Sequence, residues 1–203
     1  HSGGGASLLA GLPVRERWGS LPAGHALQPV QPCRAGLGWQ WDGVRFAWLH
    51  PLAGAQGPDN ALSCVLRVQD AQGRGLLLTG DIGAAQEREL LARRAELATE
   101  LAADVLLLPH HGSKHSSTPE FLRAVHPRLA YAQAGFMNRH RHPAADVRER
   151  LQAAGIGLLS SAECGHWRWL SSEPPGPQGC WRLQRRRYWL APPPGVAWDE
   201  PED

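Results

Sequence analysis

No run of purely aliphatic residues in this 203-residue chain is longer than four, Val105 to Leu108 being an example. A membrane-crossing helix needs roughly 20 apolar residues, so no transmembrane helix is expected. There is no C-x-x-C pair: Cys33, Cys64, Cys164 and Cys180 are spaced 31, 100 and 16 apart, which excludes a zinc ribbon. Charge of one sign is also lacking. Lys plus Arg exceeds Asp plus Glu by 21 − 19 = 2, so a polyanionic partner would have to be held by a local cluster. The chain opens at His1 with neither Met nor the basic and apolar regions of a signal peptide, and is expected to be part of a longer protein.

What is present suits a folded domain. Apolar residues are 42% and charged residues 20% of the chain, and the length suffices to bury a core without metal or disulfide. Residues 6–12 predict one or two helical turns and 21–38 a loop-rich stretch. Strands are expected over 44–49, 62–68 and 76–78 from apolar alternation, with a turn at 70–75, as an antiparallel sheet. Helical spacing of Leu90, Leu91, Ala95, Leu97 and Leu101 predicts one helix over 84–101. Residues 104–108 form a continuous apolar run, as in a strand covered on both faces. Thr118 is placed as N-cap and Pro119 as first residue of a second helix. A strand over 129–133, a helix over 143–154 and a strand over 156–160 follow. Strands first, then strand and helix alternating, predict a layered α/β domain over residues 1–190. The Pro-rich acidic tail 191–203 reads as disordered.

In such domains ligands gather beyond the carboxyl ends of strands. Three of these loops carry metal-binding residue types: Thr79-Gly80-Asp81, Pro109-His110-His111-Gly112-Ser113-Lys114-His115-Ser116, and Asn138-Arg139-His140-Arg141-His142-Pro143. Asp81 reads either as a ligand or as the N-cap of the helix starting at Ala84, and His110-His111 either as ligands or as one buried and one solvated histidine. Cys164 and Cys180 pair best as a disulfide across a two-stranded hairpin turned at 174–177, with buried thiols as the alternative. Trp167, Trp169 and Trp181 are expected to pack together across that hairpin. Arg185, Arg186 and Arg187, with Tyr188 and Trp189, read either as a strand-tracking DNA contact or as a charged edge strand.

Leu78-Thr-Gly-Asp, then Asp104-Val-Leu-Leu-Leu-Pro-His-His-Gly-Ser-Lys-His-Ser-Ser-Thr, then Asn138-Arg-His-Arg-His-Pro resemble the metallo-β-lactamase-like domain of the ComEC family of DNA-internalisation channels. Residues 33–48 and 60–68 fit the same pattern, and His1-Ser2-Gly3-Gly4 resembles the end of that family's S-H-x-D-x-D-H-x-G-G motif. The resemblance implies a metallo-β-lactamase-like αβ/βα sandwich, incomplete at the N-terminus, with a two-metal hydrolase centre. It implies His1, Asp81 and His110 as metal ligands, Asp81 bridging two divalent ions, manganese or zinc. Catalytic roles fall to Asp81, to His111 as a support behind the ligands or a proton donor, and to His142 as a further ligand or phosphate contact. Ser113, Lys114, Ser116, Arg139 and Arg141 would hold phosphates, the arginines alternatively being solvated loop residues.

By the same resemblance the whole protein would degrade the non-imported DNA strand during transformation. The domain would face the periplasm from a polytopic inner-membrane protein, with DNA, the transmembrane channel and other domains of the same chain as partners. Because the motif's first histidine and two aspartates precede residue 1, this piece is expected to bind metal poorly and to be inactive alone. Two rival readings stand: a non-catalytic DNA-guiding or structural module with a degenerate metal site, and hydrolysis of another ester or lactam. The lack of a histidine within 60–63 counts against the last.

Overall fold

The computed structural model describes residues 4–22, 24–97 and 101–185. His1, Arg186, Arg187, Tyr188, Trp189 and the tail 191–203 lie outside the described residues. Helix α1 (Gly5–Gly11) is followed by two-residue strands β1 (Trp18–Gly19) and β2 (Gln31–Pro32), which pair with each other. Then come β3 (Gly38–Trp41), β4 (Val44–His50), β5 (Val65–Gln69), β6 (Gly75–Leu78), α2 (Ala84–Ala92), α3 (Arg94–Leu97), β7 (Val105–Leu107), α4 (Pro119–Val125), β8 (Leu129–Ala132), α5 (Ala145–Ala153), β9 (Gly157–Ser160), α6 (Ser161–Cys164) and α7 (Trp181–Gln184). Strands β3 to β9 form one sheet in chain order. It is antiparallel from β3 to β6 and parallel from β6 to β9. The expected α/β class holds, and this sheet supplies one β layer of the expected sandwich.

Side-chain alternation decides what each face meets. Leu77, Leu106, Ala130 and Leu158 lie in register across β6 to β9. They pack with Leu90 of α2, Phe121, Leu122 and Val125 of α4, and Val147 and Leu151 of α5. The intervening residues, Leu107, Tyr131 and Leu159, meet Cys164, Cys180, Trp167 and Leu183 on the opposite face. Strand β8 is therefore buried at all four positions, as its unbroken apolar run requires.

Several expectations need correction. The helix expected over 84–101 breaks at Arg93, which caps α2 and whose guanidinium donates to the Leu49 carbonyl at 3.0 Å. A tertiary contact thus overrides local helix propensity. Cys164 and Cys180 are bonded, and so are Cys33 and Cys64, but 161–184 is no strand hairpin: short helices α6 and α7 flank a loop with one isolated bridge, Trp167 to Cys180. The three tryptophans also part company. Trp167 stacks on Tyr131 with ring centres 5.1 Å apart, Trp169 donates to the Glu173 carbonyl at 2.9 Å, and Trp181 lies under Arg185 at 4.2 Å. Arg185 follows α7 and is not in an edge strand. Among the described residues no helix is long and apolar enough to cross a membrane.

Candidate functional site

Because β6, β7 and β8 run parallel, the loops leaving them emerge at one edge of the sheet. The start of β5 reaches that edge too, since β5 runs antiparallel to β6. Four segments thus surround Asp81. Thr79, fully buried, donates its hydroxyl to the Leu107 carbonyl at 2.6 Å, tying the first loop to β7. Gly80 has φ +54°, and a Cβ there would stand 3.0 Å from that of Ser63. The close approach lets the Asp81 amide donate to Ser63 Oγ at 3.1 Å. Ser63 is steadied by His50, 1% exposed, whose Nδ1 lies 2.9 Å from the Ser63 carbonyl. A carbonyl only accepts, so this nitrogen carries the proton. Helix α2 is capped by Gly83, which disposes of the N-cap alternative for Asp81.

The second loop is bound to the first by His110, whose amide donates to the Gly80 carbonyl at 2.9 Å. His110 and His111 both occupy left-handed backbone, φ 50° and 59°, and Gly112 follows at φ 83°. For residues with a Cβ this costs roughly 1–2 kcal/mol each, and such strain concentrates at functional sites. It turns His111 Nε2 to within 3.4 Å of Asp81 Oδ1, with the two side chains 34% and 13% exposed. Gly112 packs on Pro143 and accepts from the Ala144 amide at 2.9 Å, docking the third loop.

In that third loop Asn138 fastens His142 at both backbone groups, accepting from its amide and donating to its carbonyl at 2.8 Å each. The His142 ring lies 6.2 Å from that of His110 and 5.5 Å from that of His140, centre to centre. Its Nδ1 is buried without a hydrogen-bond partner. Burial first, then the neighbouring imidazoles of His140, His110 and His111, lower its pKa, with Asp81 opposing.

Asp81, His110, His111 and His142 are therefore brought together as the sequence predicts. Lys114, Arg139 and Arg141 are exposed around them, Arg139 donating to His140 at 2.9 Å. The two serines are not so placed. Ser116 is buried and its hydroxyl reaches the Pro109 and Ser113 carbonyls at 2.8 and 2.9 Å, while Ser113 is 5% exposed and its Oγ accepts from the His115 amide. The Ser116 hydroxyl is thus spent on shaping the loop, which removes it from the phosphate-contact set, whereas Ser113 uses only an acceptor position there. Ser63, His50 and Asn138 were missed as supports. Asn138 had a legible signal, standing four residues before His142 in a loop, where an Asx side chain bonds its own backbone.

Donor chemistry alone would suit a divalent ion. Among the described residues, however, no three His, Cys, Asp or Glu side chains lie close enough together to hold one. Asp81 meets His111, and His110 meets His142. The described residues by themselves do not fit a two-metal centre, and no step is assigned to one.

No family model matches the chain. It is 45% identical over 121 residues to Competence protein ComA of Neisseria gonorrhoeae, covering 60% of this chain and 17% of that protein. It is 35% identical over 165 residues to the protein YcaI of Escherichia coli (81% and 21%). To Recombination protein 2 of Haemophilus influenzae it is 33% identical over 168 residues (83% and 20%). A solved structure described as a candidate Zn-dependent hydrolase of the metallo-β-lactamase superfamily, from Thermotoga maritima, overlaps 66% of this chain and 64% of its own at 15% identity and a TM-score of 0.37. That overlap carries no weight by itself. The chain spans 17 to 21% of the length of these sequence relatives, and the matches identify it as a ComEC-like domain, related to part of the competence proteins.

Proposed function

We propose that residues 1–190 form the phosphodiester-hydrolysing domain of a DNA-uptake protein, which cleaves the strand that is not imported. The observation that carries this reading is the meeting of Asp81 and His111 at 3.4 Å, with His111 held in left-handed backbone. A carboxylate beside an imidazole holds its orientation and steadies the imidazolium that forms when His111 takes a proton from an attacking water. His142, whose charged form is disfavoured by burial and its neighbouring imidazoles, is a neutral hydrogen-bonding partner for a phosphate oxygen. Lys114, Arg139 and Arg141, exposed at the rim, offset the charge of the DNA backbone. Relatives named for competence and recombination support DNA as the substrate. The resemblance adds two divalent ions, held in part by His1 and residues before it, and a domain facing the periplasm beside the channel of the same protein.

The test is cleavage of labelled single- and double-stranded DNA by the full-length protein, with manganese, zinc or chelator, beside an Asp81→Ala variant. Cleavage lost by at least about a hundredfold in the variant is expected, as when an oriented catalytic group is removed. Equal cleavage by both proteins would overturn the proposal. Lys114, Arg139 and Arg141, exposed at the rim, would grip a DNA backbone equally well without cleavage, which gives the second reading, the DNA-guiding module. Retained DNA binding with no cleavage by the full-length protein would establish it in place of the first.

A further inference from the structure

The loop that carries His110, His111 and Lys114 continues through residues 114–118 without regular structure. Two side chains from distant parts of the sequence grip it. Glu87 of α2, fully buried, accepts from the Ser117 and Thr118 amides through its two carboxyl oxygens. Arg150 of α5 donates to the Ser116, Ser117 and Lys114 carbonyls at 2.8, 2.9 and 3.3 Å. One side chain takes the segment's donors and the other its acceptors. Ser117 is itself buried in left-handed backbone, φ 57°, a conformation that needs outside support. Burying an acid is costly unless its oxygens are satisfied, so both oxygens are committed to this loop.

We infer that Glu87 and Arg150 are positioning residues, which set the height of the His110-His111 turn and of Lys114 over Asp81. The segment's other end is tied by Ser116 to Pro109, the residue before His110. A slack segment 114–118 therefore transmits directly to the histidines. Lys114, His115 and Arg150 line an open cleft of about 700 Å³ together with the start of α2, and no acidic residue is in the lining. The catalytic consequence rests on the hydrolase reading; the clamp does not.

Glu87→Gln is nearly isosteric but turns one acceptor into a donor facing an N–H. Arg150→Lys keeps the charge and loses the fork that spans three carbonyls. Hydrogen–deuterium exchange and steady-state DNA cleavage are measured on the full-length protein. In both variants, amides within 113–118 are expected to exchange about tenfold faster while β7 and β8 stay protected. The kcat is expected to fall about tenfold with KM little changed, the signature of a misplaced reacting group. Glu120→Gln, on the exposed face of α4, leaves both unchanged. Should Glu87→Gln fail to fold, Arg150→Lys carries the test. Unchanged exchange in 113–118, or faster exchange with unaltered kcat, overturns the inference. Absence of cleavage by the unmodified protein would instead sink the hydrolase reading, and faster exchange in the variants would still support the clamp.

Discussion

Gly112 is where the second loop packs on the third, and Gly112→Ala crowds that contact. Two costs add. The backbone sits at φ +83°, where a Cβ costs roughly 1–2 kcal/mol. The added Cβ would stand 2.8 Å from the Cβ and 3.0 Å from the Cα of Pro143. Pro143 is buried and follows His142, so it can retreat only by moving the loop, an overpacking cost of about 1–3 kcal/mol. The expected loss is about 2–5 kcal/mol, read by equilibrium urea unfolding of the 203-residue chain through tryptophan fluorescence. Gly43→Ala is the control. Its φ is +75° with nothing within 4 Å of the added Cβ, so it carries the backbone cost without the collision. If the two substitutions destabilise equally, the loops do not touch at Gly112 and the approach of His110 to His142 has another cause.

Asn138→Ala removes both 2.8 Å bonds to His142 and should cost about 1–3 kcal/mol in urea, leaving half-buried backbone groups unpaired; a loss under about 0.5 kcal/mol would mean that solvent already satisfies them. Thr118→Ala deletes the hydroxyl that accepts from the Phe121 amide at 3.4 Å. A bond that long predicts the low end of the capping range, about 0.5–1 kcal/mol, and a loss above about 2 kcal/mol would contradict the weak geometry. All four cysteines are bonded, so alkylation of the native chain without reductant should label none of them, and four labelled thiols by mass spectrometry would refute both pairings.

Periodicity and turn chemistry determined most of the element order and the three loops. The apolar run into Pro109, the Thr118-Pro119 helix start and the alternation through 44–49 are local patterns read by backbone geometry alone. Asp81, His110, His111 and His142 were legible because loops leaving parallel neighbouring strands share an edge, whatever the details of packing. Only the tertiary structure decided what holds them. Ser63 lies 18 residues from Asp81, and Glu87 lies 30 and 31 residues from the amides it binds, separations at which no sequence period records a partner. The break at Arg93, the left-handed backbone of His110 and His111, and the loop that joins Cys164 to Cys180 in place of a strand hairpin have the same origin. Each is a local conformation fixed by contacts with residues far away along the chain, strong enough to override what the neighbouring residues prefer.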